Sequence, residues 1–160
     1  MLDGVAGMAV QGKGGLRVSS PAFPHGGALP ERYSCRGEGV TPPLSIRGIP
    51  PGAKSLALVV EDPDAPIGTF IHLVLWNIPV SSAIPENSMP EGAVAGVNSA
   101  GESGYFPPCP PSGTHRYAFR LFALDSKLEL PPGAAWGELA PAMTGHVLAQ
   151  ASLTATCSKG

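Results

Sequence analysis

Apolar segments recur along the chain between clusters of proline and glycine. Four of them read SLALVV, IHLVLWNI, YAFRLFAL and VLAQASLTA. Such runs, bounded by residues that favour turns, are typical of short strands joined by rigid connections. The pattern predicts main strands at 55–60, about 70–78, about 116–124 and about 151–157.

Weaker signals predict three further strands. Residues 16–23 are expected to form an edge strand, because Pro21 cannot donate a ladder hydrogen bond inside a sheet. Short strands are also expected near 44–46 and near 93–97. The rest of the segment at 81–114 has little regular pattern, and a connection of that length is usually functional in a compact domain.

A single segment favours a helix. Ala, Leu, Met and Glu dominate residues 134–149, which follow Pro132 and Gly133. Pro141 and Gly145 are expected to end or split this helix, because proline removes a backbone donor and clashes with the preceding turn. The whole pattern predicts a mainly β fold with a late helical element.

Composition narrows the class of protein. The 21 glycines and 19 prolines make up 40 of the 160 residues, but the recurring apolar segments argue against disorder. No apolar run approaches the ~18 residues of a membrane-spanning helix. The charged fraction of 14% and the formal net charge of −2 argue against a nucleic-acid binder, which needs a dense basic face.

The N-terminal segment 1–15 lacks the basic start and long apolar centre of a secretory signal. It is expected to be a flexible leader before a single domain at 16–160, and a cytoplasmic location is expected. Cys35, Cys109 and Cys157 are too few for a secreted disulfide scaffold. Whether any two of them form a disulfide is open at this point.

The sequence DPDAP at 62–66 places two carboxylates beside prolines. Proline fixes φ near −65° and restricts the residue before it, so Asp62 and Asp64 are expected to lie in a rigid loop. A lone motif of this kind is usually a solvated turn. The functional alternative is a pair of acceptors at the mouth of a pocket.

His72 interrupts the apolar segment that follows. Strict alternation would place Phe70, His72, Val74 and Trp76 on one face of the strand. A histidine in such a position is more often a satisfied core residue than a ligand contact. Because it lies only ~6.6 Å along the strand from Phe70, it is also expected to reach back toward the carboxylates of the acidic loop.

A proline-rich segment precedes the next main strand. Prolines at 107, 108, 110 and 111 stiffen the approach to His115, Arg116 and Tyr117. Alternation places His115 and Tyr117 on one face and Arg116 on the other, wetter face. Since these prolines shape the backbone without filling a core, the segment is expected to form a rigid wall.

Together these motifs resemble the phosphatidylethanolamine-binding protein family in its bacterial and archaeal branch. They are DPDAP at 62–66, the strand histidine ten residues after Asp62, PCPPSGTHRY at 108–117 and YSCRGEGVTPPLS at 33–45. The resemblance covers about residues 16 to 158. It implies an antiparallel, sandwich-like β fold with short C-terminal helical segments and a small anion-binding pocket at one end.

The resemblance also implies which residues form that pocket. The expected ligand contacts are Asp62, His72, Pro111, His115 and Tyr117. The expected supporting residues are Asp64, Phe70, Cys109, Pro110 and Arg116. Of these, Asp64 and Arg116 are expected to form an ion pair behind the pocket, and Phe70 stands where animal relatives have a tryptophan.

The function implied by the resemblance is binding rather than catalysis. The expected ligand is a phosphate, a phosphoryl headgroup or another small anion, and the implied protein partners are kinases or serine proteases that the chain would inhibit. No cofactor and no metal are expected, and a homodimer is compatible with this branch. Because histidines can become cationic when an anion arrives, phosphate affinity is expected to weaken from about pH 6 to 8.

Two alternatives belong to other classes of protein. The first is a hydrolase with Cys109 as nucleophile, His115 as base and Asp62 as the orienting acid. The prolines on both sides of Cys109 count against it, because they deny the thiol the backbone donors of a helix N-terminus. The second is a zinc site formed by His72, His115, Asp62 and Asp64, although the tyrosine and proline wall suits a phosphoryl group better.

Overall fold

The strands of the structure follow the apolar segments of the sequence. The computed structural model describes residues 10–11 and 15–159. The strands in this part of the chain are β1 Val10–Gln11, β2 Arg17–Ser19, β3 Leu44–Arg47, β4 Ser55–Asp62, β5 Phe70–Ile78, β6 Ala83–Ile84, β7 Val94–Ala95, β8 Thr114–Leu124 and β9 Val147–Ser158. The helical elements are a short 3-10 helix, Glu31–Tyr33, and an α-helix, α1 Trp136–Met143.

Each predicted strand is present, but the ends of some strands differ from the prediction. The predicted edge strand at 16–23 is reduced to β2, which ends before Pro21. β9 begins at Val147, several residues before the predicted start. The short strand β6 was not predicted, because two residues carry too little pattern to be recognised.

The strands form two antiparallel sheets. The larger sheet has the order β1-β9-β8-β4-β5-β7, and the smaller has the order β2-β3-β6. In the larger sheet β4 lies between β8 and β5, where Glu61 pairs with Ala118 and Asp62 pairs with Phe70. The C-terminal end of β4 therefore lies beside the N-terminal ends of β5 and β8, at one end of these three strands.

The larger sheet is buried on both faces. Its inner face packs against the smaller sheet, with Val18 and Ile46 from one side meeting Leu58 and Phe119 from the other. Its outer face is covered by α1 and the loop before it through a second apolar cluster, which includes Leu139. The mainly β, sandwich-like architecture with a C-terminal helical element is confirmed.

A β-bulge interrupts the pairing of β4 with β5. Val60 pairs with Leu73, whereas the next residue, Glu61, pairs with Ile71. His72 is thus the extra residue of the bulge, and a bulge of this kind redirects a side chain at the rim of a sheet.

The bulge contradicts the face predicted for His72. Alternation groups Phe70, His72, Val74 and Trp76, but Val74 and Trp76 pack in the outer cluster beneath α1. Phe70 and His72 instead line a cavity together with Tyr117 of β8. An inserted residue reverses the alternation beyond it, so simple period-two counting fails here.

The predicted helix at 134–149 is too long. α1 ends at Met143, two residues after Pro141, and the Thr144 N–H donates to the Pro141 carbonyl at 3.1 Å. From Val147 the chain pairs with β8 instead. Tertiary pairing therefore overrides the helix propensity of the last part of the segment.

The predicted leader is only partly within the described residues. Val10 and Gln11 form β1, which pairs with Ser152 and Ala151 of β9. Residues 1–9 and 12–14 lie outside the described part. None of the described helices is long and apolar enough to cross a membrane.

Candidate functional site

Three segments converge on a cavity at one edge of the larger sheet. They are the end of β4 with its acidic loop, the start of β5, and the proline-rich segment that leads into β8. The cavity measures about 170 Å³. Its lining residues are Asp62, Ala65, Pro66, Phe70, His72, Phe106, Cys109, Pro110, Pro111, His115 and Tyr117.

The structure therefore brings together most of the site residues that the sequence predicts. All five predicted ligand contacts line the cavity, and so do the predicted supporting residues Phe70, Cys109 and Pro110. Asp64 and Arg116, the other two supporting residues, lie behind this lining.

A buried His–Asp pair forms one side of the cavity. His115 Nδ1 lies 2.7 Å from Asp62 Oδ2, and the two residues are only 7% and 3% exposed. The other carboxylate oxygen of Asp62 accepts the backbone N–H of Asp64 at 2.8 Å. An ionised carboxylate only accepts, so His115 donates through Nδ1.

His72 is held by the backbone of the proline-rich segment rather than by a carboxylate. Its Nδ1 lies 2.6 Å from the carbonyl oxygen of Phe106, and the Phe106 N–H donates to the His72 carbonyl at 2.9 Å. His72 lies near the acidic loop, since it lines the cavity together with Asp62, but the described hydrogen bond of Asp62 Oδ2 goes to His115. Since a carbonyl only accepts, Nδ1 of His72 also carries the hydrogen.

Burial favours the neutral form of the His72 ring in the free protein. The ring is 4% exposed, and burial lowers the pKa of His72 below its usual range, a shift opposed by the hydrogen bond to Phe106 and the charge of Asp62. In its neutral form the ring presents a lone pair at Nε2, and in its charged form it presents a donor there. His72 can therefore change from acceptor to donor when a ligand favours the charged ring.

Aromatic rings fix the orientation of His72. Its ring centroid is 4.8 Å from that of Phe70 and 5.2 Å from that of Tyr117, with the Tyr117 contact edge to face. Burial, followed by the negative charge of Asp62, raises the pKa of Tyr117. Tyr117 consequently stays a phenol and can donate a hydrogen bond at physiological pH.

The ion pair predicted behind the pocket is present. The Arg116 Nε donates to Asp64 Oδ2 at 2.9 Å, and Nη2 donates to Oδ1 at 2.7 Å. The backbone N–H of Arg116 adds a third bond to Oδ2 at 2.9 Å. The side-chain hydrogen bonds of Arg116 lower the pKa of Asp64 to about 2. The acidic loop is thus tied directly to the start of β8.

Cys109 is joined to Cys35 by a disulfide that spans 74 residues of sequence. The remaining cysteine, Cys157, is buried with a free thiol. The pairing left open by the sequence is thereby resolved. It also removes the thiol that the hydrolase alternative requires of Cys109, because a nucleophilic cysteine must be a free thiolate.

The zinc alternative gains no support from the structure. Among the described residues, no group of three or more His, Cys, Asp and Glu side chains is arranged to hold a metal ion. Asp64 is turned away to Arg116, and Asp62 is engaged with His115.

Three lining residues, Ala65, Pro66 and Phe106, were not predicted from the sequence. Ala65 and Pro66 belong to the acidic loop and line the cavity together with Asp62. Phe106 supplies both a ring and the carbonyl that fixes His72. The only available signal was its position beside the prolines, and a backbone carbonyl leaves no mark in a sequence.

The chain is similar to known proteins over most of its length. The family model for phosphatidylethanolamine-binding proteins matches residues 19–158. A UPF0098 protein of Methanothermobacter thermautotrophicus is 47% identical over 151 residues, which are 91% of this chain and 100% of that protein.

Two solved structures share the fold. A phosphatidylethanolamine-binding protein homologue from Chlamydia trachomatis has a TM-score of 0.87 and 44% identity, covering 91% of this chain and 98% of that one. Escherichia coli YbcL, described as a member of the mammalian family, has a TM-score of 0.84 and 28% identity, covering 91% of this chain and 99% of that one. The family model, the identities and the shared fold together show that this chain belongs to the phosphatidylethanolamine-binding protein family.

Proposed function

We propose that the cavity binds a phosphate, a phosphoryl group or another small anion. The supporting observation is that two histidine rings are held through the same nitrogen. His72 and His115 each use Nδ1 for a protein acceptor. Within the part of the chain that the structure describes, neither Nε2 has a protein partner. Both atoms are therefore available to a ligand in one cavity.

The size of the cavity selects a small ligand group. A volume of about 170 Å³ lies well below the roughly 300–1,000 Å³ of sites for drug-sized ligands. A phosphate or a phosphorylated headgroup fits this scale, whereas the apolar part of a lipid would have to remain outside. Phe70, Phe106 and the prolines supply an apolar wall against which a small organic substituent can pack.

Asp62 has a positioning role in this proposal. Its charge opposes an anion directly, but it accepts from His115 and thereby fixes that ring with Nε2 toward the ligand. Asp62 can additionally accept from the ammonium group of an ethanolamine headgroup.

Binding rather than catalysis is the activity we infer. The cavity combines rigid donors and an apolar wall, and the disulfide withholds the Cys109 thiol. Calorimetric titration of the oxidised chain with inorganic phosphate and with phosphoethanolamine tests the proposal. We expect saturable binding of both and none of glycerol, a neutral control, and the absence of heat with either phosphate compound would contradict it.

We also propose that the chain regulates kinases or serine proteases by inhibiting them. This role is supported by membership of the family and by the exposed Ile67, which projects from the rigid acidic loop beside the cavity. Rates of representative kinases and serine proteases with and without the chain test it. Unchanged rates across both enzyme classes would argue against inhibition.

Two further proposals concern the cellular setting. A homodimer is proposed from the family branch, and light scattering after size-exclusion chromatography measures it.

A cytoplasmic location is proposed from the sequence, whereas the Cys35–Cys109 disulfide is more typical of oxidising compartments. Fractionation of cells that express the natural gene decides between these compartments.

A further inference from the structure

The Cys35–Cys109 disulfide separates two cavities. Cys109 and Pro110 line the candidate anion pocket and also a second cavity of about 210 Å³. Cys35 lines only the second cavity. Both disulfide residues are exposed, so a small molecule in the second cavity can reach the bond from solvent.

Two cationic side chains line the second cavity. They are Arg36 and Lys159. The acid paired with Arg36 is the exposed Glu31, at a distance of 3.8 Å, which is too long for a hydrogen bond. This cavity therefore presents positive charge beside an exposed disulfide, and this is the setting that stabilises a thiolate.

The third cysteine is a poor candidate for attacking the disulfide from within. Cys157 lines the same cavity but is only 5% exposed. Burial raises the pKa of its thiol, and a protonated thiol is not a nucleophile. Reduction of the Cys35–Cys109 disulfide would therefore require a thiol from solution.

We propose that the second cavity is a thiol–disulfide exchange site that accepts an anionic low-molecular-weight thiol and so controls the rigidity of the anion pocket. The thiolate attacks Cys109 Sγ, forming a mixed disulfide, and Cys35 leaves as a thiolate beside Arg36. A second thiolate then attacks the sulfur of the bound thiol, releasing the external disulfide and the Cys109 thiolate. Two external thiols are oxidised, one protein disulfide is reduced, and both protein thiolates then equilibrate with solvent protons.

Reduction acts on the pocket through its wall. Cys109 lies between Pro108 and Pro110, in the same segment whose Phe106 carbonyl holds His72. After reduction this segment keeps the Cys35 N–H bond to the Pro108 carbonyl, at 3.0 Å, but loses its covalent tie. A looser wall must be ordered on binding, which reduces affinity. This second half of the proposal rests on the proposed function.

Reduction rates test the exchange site without reference to anion binding. We would measure reduction of the native chain by glutathione, which carries carboxylates besides its thiolate, and by 2-mercaptoethanol, which is charged only at its thiolate. In the double variant Arg36→Gln/Lys159→Gln, the glutathione rate should fall about two- to fivefold more than the 2-mercaptoethanol rate, because glutathione carries carboxylates in addition to its thiolate. The control Arg17→Gln/Lys127→Gln removes equal charge from residues that do not line the cavity and should change neither rate.

Equal rates in the wild type and the Arg36/Lys159 variant, or an equal loss for both thiols, would overturn the exchange site. Phosphate calorimetry on the same wild-type protein, oxidised and then reduced with dithiothreitol, tests the coupling. We expect affinity to fall about three- to tenfold on reduction. Equal affinities would overturn the coupling, whereas no binding in the oxidised state would overturn the proposed function and leave the rate comparison valid.

Discussion

The two pocket histidines are held by different chemistry. His115 is oriented by a carboxylate, and His72 by a backbone carbonyl, yet both arrangements place the hydrogen on Nδ1. A backbone carbonyl fixes a ring without adding charge, whereas a carboxylate brings a negative charge into the site. Burial favours the neutral ring of His72, which can accept from a ligand in that form and donate to it once charged.

Removing either ring should abolish most phosphate binding without unfolding the domain. His72→Ala or His115→Ala each deletes one donor to the anion, and a hydrogen bond to a charged group is worth enough to predict at least about a tenfold loss. Calorimetry measures the affinity, and circular dichroism measures the folded state. The control is His146→Ala, which deletes an exposed histidine that pairs with Asp125 and does not line the cavity. Wild-type affinity in either pocket variant would contradict the assignment.

Anion affinity should fall as pH rises, through the titration of His72. Burial lowers its pKa in the free protein, and a bound anion raises it because the charged ring is favoured. Between the two pKa values binding takes up a proton, so affinity decreases with rising pH by at most about tenfold per unit. The groups that face His72 are Asp62, His115 and Tyr117.

Sulfate is the suitable probe for this pH dependence, because its charge does not change between about pH 5 and 7.5, whereas phosphate titrates there. The His72→Asn variant keeps a polar side chain but cannot titrate, so its pH dependence should be shallower than that of the wild type. A wild-type sulfate affinity that is flat over this interval would exclude histidine-linked binding.

At the scale of elements, the acidic loop and β8 are coupled by the Asp64–Arg116 pair. The folded-state pKa of Asp64 is about 2, below the ordinary value of about 3.9. The pair therefore stabilises the fold above the ordinary value, and this contribution is lost as pH falls toward 2. Since Arg116 is largely exposed, the contribution should be below about 1 kcal/mol.

Urea unfolding of the wild type and Asp64→Asn at several pH values measures this contribution. The wild type should be the more stable at pH 5, and the difference should vanish near pH 2. A difference that is constant with pH would mean that the carboxylate charge does not act in the way described.

Close packing beside β7 makes Gly96 intolerant of a side chain. A Cβ at this position would lie 2.3 Å from the Ala134 carbonyl oxygen and 2.7 Å from a ring carbon of Trp76. Gly96→Ala should therefore lower the free energy of unfolding by about 1–3 kcal/mol, since neither the backbone nor the buried ring can move freely. The same substitution at Gly137, where a Cβ meets nothing, should be neutral or slightly stabilising. Equal effects at the two glycines, measured by urea unfolding, would refute this account.

At the scale of the whole molecule, the strands and the grouping of site residues were predictable because their signals are local. The alternation around Tyr117 and the prolines before His115 are patterns within one segment. The family motifs then indicate which segments form the pocket together. The bulge at His72 was not predictable, because an extra residue is defined only by the partner strand. The same holds for the Phe106 carbonyl and for the choice of Cys35 and Cys109 over Cys157. All three depend on contacts between distant segments.

In the proposed function, Nε2 of His72 and Nε2 of His115 bind the same anion. The chain has four histidines, so the other two, His25 and His146, are internal controls in one sample. Long-range ¹H–¹⁵N correlation spectra of the imidazole rings, recorded during a sulfate titration at constant pH, measure this directly. We predict that the Nε2 resonances of His72 and His115 shift together with one dissociation constant, while those of His25 and His146 stay fixed. Shifts at only one pocket histidine, or equal shifts at all four, would contradict the account.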